Sequence, residues 1–189
     1  MPPAAVMVVS VPSEQLRSLS SFLHSLACSR AAGDVAVAPG ALAVLILTDE
    51  AAGHSMAEAM DPEYPFALRV EAGPDGVAEA TRRAAAWARS LGAAGVPVLF
   101  APVSRPVEPR WVHGVLALLR DGADLVMPRR SFWERLFARP ALPVALSHQA
   151  QGRIEQWSAQ GAAGQGAAWT RWNPPWRRPA MAGLRAVTL

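Results

Sequence analysis

The sequence predicts a three-layer α/β/α domain built on a mainly parallel sheet. Three observations carry that expectation. Short apolar runs recur along the chain, helical patterns fall between them, and the two clearest runs are apolar nearly throughout rather than at every second position. Continuous apolar strands suit a sheet covered on both faces, and strand–helix alternation suits parallel crossovers.

The first run, AAVMVVSV at 4–11, is rich in valine. PSEQLRSLSSFLHSLACS follows, with Leu16, Leu19, Leu23 and Leu26 at helical spacing and Phe22 on a nearby face. Glu14 in its first turn suits the positive end of the helix dipole. Cys28, late in this pattern, reads as a buried thiol. ALAVLILT at 41–48 is the second strand, and EAAGHSMAEAM from Glu50 a weaker helix. FALRVEA at 66–72 is the third strand. A helix from about Asp75 to Leu91 presents Val77, Ala80, Ala84, Trp87 and Leu91, and Gly92 closes it. PVLFAP at 97–102 is the fourth strand, Glu108 to Arg120 a further helix, and ADLVMP at 123–128 the fifth strand. Beyond Pro128 the rhythm breaks. SFWERLFA reads as one helix and LPVALSH as a short strand, followed by QGAAGQGAAW and TRWNPPWRRPAMAG, where Gly, Gln and Pro dominate.

The chain has 189 residues and is 51% hydrophobic, enough for one well-buried domain. Charge is uneven. Residues 1–129 hold 10 arginines against 13 acidic residues, whereas 130–189 hold 8 arginines against 2 glutamates. That asymmetry points the C-terminal third toward something anionic: a phosphate-bearing ligand, a membrane surface, nucleic acid, or the acidic body itself. No apolar run approaches the 18–20 or so residues that cross a bilayer, and the start lacks a basic n-region, so a cytoplasmic location is the default expectation. One cysteine rules out an internal disulfide.

Several chemistries are excluded by motif. There is no lysine and no P-loop; VPSEQL follows the first strand where a dinucleotide fold would carry glycines; no HExxH, CxxC or EF-hand pattern occurs. His24, His54, His113 and His148 lie far apart. The acidic candidates are better placed. Asp49 and Glu50 follow the second strand directly, where they either cap the next helix or face a ligand crevice. Asp124 reads as a turn residue.

The combined pattern resembles the nucleotide-sugar-binding half of the family 2 glycosyltransferases, which share the GT-A fold (Rossmann-like). The similarity lies in VMVVSVPSEQLRSLSSFLHSL, in LILTDE, and in the long segment ATRRAAAWARSLGAAGVPVLFAPVSRPVEPRWVHGVLALLRDGADLVMP. It covers about residues 4–130 and rests on arrangement more than on signature residues. The resemblance implies a core at 1–130 and an extension at 131–189, packed on that core or serving as an interface. It makes Asp49 similar to the family's acid on the nucleotide base or ribose, and places Arg83 in the region that approaches the pyrophosphate. Trp111 resembles the tryptophan that opens the helix after the metal loop. Counted back from Trp111, Pro102 and Ser104 occupy the places of two aspartates that hold a divalent ion against the diphosphate.

That departure matters because carboxylates hold the ion that neutralises the leaving diphosphate. Proline has no side-chain ligand, and a serine hydroxyl is a poor substitute. Arg105 could instead meet phosphate directly. Glu134 and Glu155 are the acids left in the second half, and neither has a general-base motif. The expectation is therefore a degenerate, non-catalytic glycosyltransferase-like protein that binds through Asp49, Arg83, Ser104 and Arg105, with no metal and no cofactor beyond a UDP- or GDP-sugar as ligand. The alternatives are an active, metal-independent glycosyltransferase and a related nucleotidyltransferase-like protein. Trp169–Arg178, with Trp169, Trp172 and Trp176 among Arg171, Arg177 and Arg178, is a candidate surface for a protein partner or self-association. Two prolines weaken a membrane reading, and no nucleic-acid module accompanies the stretch.

Overall fold

The computed structural model describes residues 1–49, 63–73, 77–104, 106–127, 145–164 and 184–188, with side chains of the last helix described as far as residue 156. Seven strands form one sheet. They are β1 (Ala5–Val11), β2 (Leu42–Thr48), β3 (Ala67–Ala72), β4 (Val98–Pro102), β5 (Leu125–Met127), β6 (Ala145–Leu146) and β7 (Ala186–Thr188). Their order is β3-β2-β1-β4-β6-β5-β7. All pairs are parallel except those of β6, which runs antiparallel to both β4 and β5.

Among the described residues four α-helices flank the sheet: α1 (Leu16–Ala27), α2 (Val77–Ser90), α3 (Trp111–Arg120) and α4 (His148–Gly164). Strand alternation sorts the core into two layers. Ala5, Met7, Val9 and Val11 of β1, with Val44 and Ile46 of β2, face Leu19, Phe22 and Leu26 of α1 and Val112 and Val115 of α3. Val6, Val8, Leu45 and Leu47 face Ala80, Ala84, Trp87 and Ala88 of α2. Ala150 and Ile154 of α4 join Leu125 and Leu146 on the α2 side, where Ala78 and Phe100 also pack. All seven residues of β2 are buried, which explains its unbroken apolar run.

The five strands expected from the sequence are present, and LPVALSH does supply the short strand β6. The structure adds α4 and β7, which the sequence patterns did not mark. Cys28 is a correction. It is exposed, because it is the residue just past the end of α1 and lies off the buried stripe. The helix expected from Glu50 and the one at SFWERLFA lie outside the described residues.

β5, β6 and β7 are held by a polar clasp. Asp124 accepts the Arg185 backbone N–H at 2.9 Å and the Ser147 hydroxyl at 3.2 Å. Ser147 Oγ in turn accepts the Ala150 N–H at 3.2 Å, capping α4. Asp124 is thus structural, as its turn-like setting implied. The buried Gln151 amide donates to Val96 O at 2.9 Å and ties α4 to the entry of β4.

Candidate functional site

β1, β2, β3 and β4 run parallel, so their carboxyl ends form one rim. Register fixes its members: Val11 opposes Thr48, Thr48 opposes Ala72, and Ser10 opposes Pro102. Strand order reverses at β1, with β2 on one side and β4 on the other. Crevices in open α/β sheets form at such a reversal, outside the carboxyl ends. At about 4.8 Å per strand, β2 and β4 end roughly 10 Å apart, with the β1–α1 turn between them.

Asp49 leaves β2 at this rim and is exposed. Its carboxylate accepts a hydrogen bond from the Ser13 hydroxyl, in the short 3-10 turn (Ser13–Gln15) that leads into α1. The two halves of the β1–α1–β2 unit are therefore bridged across the mouth of the crevice. The sequence marked Asp49 because an acid closing an apolar strand is conspicuous. It read Ser13 only as a helix start.

Thr48, next to Asp49, is 3% exposed, and its Oγ1 has no hydrogen-bond partner among the described residues. An unpaired buried hydroxyl costs about 1–3 kcal/mol. The backbone around it is tight. Gly73 N–H donates to Thr48 O at 2.6 Å, and a Cβ on Gly73 would sit 3.4 Å from that oxygen. A polar residue ending the run ALAVLIL was the available sequence signal for Thr48.

Arg83 lies at the outer end of the rim, beside β3. Its Nε donates to Glu79 at 2.9 Å, and its Nη1 donates to Ala72 O at 2.7 Å and faces Glu71 at 3.5 Å. The hydrogen bond to Glu79, with Glu71 adding to it, raises the pKa of the guanidinium further. Arg83 thus joins α2 to the edge strand, about three strand spacings (roughly 14 Å) from β4. Ser104 is exposed in the turn after β4, and Pro102 is exposed at the strand's end. Arg105 lies outside the described residues. Trp111 opens α3 as expected and is half-buried against the α1-side core.

The connection from β4 to α3 is anchored on α1 and the residues just after it: Val107 N–H donates to Ser25 Oγ at 2.8 Å, and Arg30 N–H to Pro109 O at 2.5 Å. The same helix that carries the Ser13 turn therefore also braces the loop after β4. Nearby, Tyr64 donates to Leu23 O at 2.8 Å; burial, with Cys28 close by, pushes its phenol well above the ordinary tyrosine range. Among the described residues no three His, Cys, Asp or Glu side chains converge, and no helix is long and apolar enough to cross a membrane.

No family model matches this chain, and no curated protein does. Solved structures do. The 4-diphosphocytidyl-2C-methyl-D-erythritol synthase from Anaerococcus prevotii aligns with 99% of this chain and 87% of its own, at a TM-score of 0.59 and 10% identity. Rv0371C from Mycobacterium tuberculosis, in complex with manganese, aligns with 100% of this chain and 89% of its own, at 0.56 and 14%. TarS 1-349 from S. aureus, with UDP-GlcNAc, aligns with 67% of this chain at 0.48 and 13%, and this chain spans only 34% of it. At such identities the end-to-end matches speak for architecture alone: the chain has a three-layer α/β/α fold with a mixed, mainly parallel sheet of the GT-A, Rossmann-like kind.

Proposed function

We propose that this protein binds a nucleotide or nucleotide-sugar in the crevice at the ends of β1, β2 and β4, as a degenerate, non-catalytic relative of the glycosyltransferases. The observation that carries the reading is the contrast across the crevice. On the β2 side, Asp49 is present, exposed and bridged to Ser13. On the β4 side, the exposed Pro102 and Ser104 stand where the resemblance expects two metal-holding aspartates.

In this reading Asp49 accepts hydrogen bonds from the base or ribose. Ser104 and Arg105 face the phosphates, with Arg105 supplying the charge that a metal ion would otherwise supply. Arg83 acts there only by leaving Glu79 and Glu71, so its first task is to hold the rim together. Residues 1–130 carry the crevice, and 131–189 complete the sheet and present Trp169–Arg178 to a partner or a second copy.

A second reading is favoured by the end-to-end match to a diphosphocytidyl-methylerythritol synthase: a nucleotidyltransferase-like protein preferring cytidine nucleotides. Titration calorimetry with UDP, CDP, CTP, GDP and UDP-sugars, each with and without manganese, separates the readings. Metal-independent binding weakened in Asp49→Asn supports the first. Binding of CTP or CDP that needs manganese supports the second. Absence of binding throughout refutes both and moves attention to the tryptophan-rich stretch.

A further inference from the structure

Thr48 stands out once the site is assembled. It is the one hydroxyl in a strand that is otherwise apolar and wholly buried, and that hydroxyl has no partner among the described residues. Valine has the same shape and would fill the position without leaving a polar group unmatched. Alternation places the side chain on the face of Val44 and Ile46, the face covered by α1. Its register partner on β1 is Val11, two residues before Ser13. The Ser13–Asp49 bridge therefore lies at the same end of β2 as the Thr48 hydroxyl, beside the turn that leads into α1.

We infer that Thr48 is a ligand-contacting residue: its hydroxyl is the hydrogen-bond partner of an uncharged group on the nucleoside portion of the ligand, exposed when the Ser13–Asp49 bridge yields. This rests on the nucleotide-binding reading above and adds a specificity residue to it. An uncharged group is indicated by the surroundings. Asp49 is the next residue along the chain, and Glu14 lies in the same turn as Ser13, with Arg17 further along in the first turn of α1. A phosphate oxygen would meet net negative charge there, whereas a base amide or a sugar hydroxyl would not.

The test uses uridine, cytidine, UDP and CDP as probes on the full chain, with Thr48→Val, Thr48→Ser and Ser13→Ala. Thr48→Val should weaken the nucleoside and its diphosphate by the same factor, about fivefold, as expected for one net hydrogen bond. Thr48→Ser should restore binding, and the urea midpoint of Thr48→Val should equal or exceed that of the parent. Ser13→Ala, which removes the bridge, should bind at least as tightly as the parent. The inference is overturned if Thr48→Val binds like the parent, if only the diphosphates lose affinity, or if Thr48→Val lowers the urea midpoint. The last result would show a hydroxyl satisfied within the protein. A parent chain that binds none of the probes would refute the nucleotide reading itself, whereas normal binding by Thr48→Val refutes only the role of Thr48.

Discussion

Shortening Phe22 to alanine tests whether α1 is held to the sheet by packing or by its polar contacts. Phe22 is 1% exposed, in the layer formed by Leu19 and Leu26 of α1 and the odd-numbered residues of β1. Removing a fully buried phenyl ring loses its transfer free energy and leaves a cavity that a strand-backed layer cannot close; such changes cost about 3–5 kcal/mol. For a chain of this length that corresponds to a fall in Tm of about 6–20 °C. In urea it is a midpoint shift of about 1–2.5 M at an m of about 2–3 kcal/mol/M. Equilibrium urea unfolding followed by tryptophan fluorescence and by circular dichroism reads both the midpoint and m. A loss below about 1 kcal/mol at unchanged m would refute the argument, because it would mean that Phe22 is not packed as described. Phe22→Leu, which refills most of the space, should recover the greater part of the loss.

Three further outcomes follow from the same structure. Tyr64 is the only tyrosine, so near-ultraviolet tyrosinate absorbance reports it alone. It should ionise above the ordinary value of about 10 in the native protein and near 10 in denaturant. A folded pKa above the unfolded one means the native state keeps its proton longer, so stability should fall as pH rises past about 10, and Tyr64→Phe should remove that component. Native titration near 10 would sink the reading. Gly95 has φ +75°, so Gly95→Ala should cost about 1–2 kcal/mol in urea unfolding, against little for Gly152→Ala, whose Cβ meets open space. Asp124→Ala should destabilise the clasp of β5, β6 and β7 by about 1–2 kcal/mol, read as earlier loss of amide-exchange protection at Leu125 and Val126 than at β2.

The sheet was legible where burial on both faces forces every residue to be apolar, as in AVMVV and LAVLIL. It was illegible where few residues carry the packing. β7 has three residues, too short for any period to show. α4 is rich in Gln, Gly and Ala; of its described side chains only Ala150, Gln151 and Ile154 are buried. Ser147 was its visible cap signal, set among residues that otherwise read as a loop. In the crevice, Asp49 was found from its position after a strand. The tie from Arg83 to the β3 edge was not, because Glu71 and Ala72 lie on a different element, and contacts between elements leave no local pattern. Ser13 and Thr48 went unmarked for a related reason. A hydroxyl at a helix start or a strand end is ordinary until its partner, or its lack of one, can be seen.

The place of β6 has a consequence for how the chain is made. β4 and β5 are not neighbours: β6, at Ala145–Leu146, lies between them. A nascent chain that has reached residue 130 can assemble β3-β2-β1-β4, but the flank of β4 stays unpaired and β5 has no strand to join. Both wait for about fifteen more residues to leave the ribosome. Until then an apolar strand edge of the type that templates aggregation is open to other chains. The clasp at Asp124 closes only with Arg185, 61 residues further along the chain. A chain truncated before β6 would therefore not be a smaller version of this protein but a sheet missing its central splice.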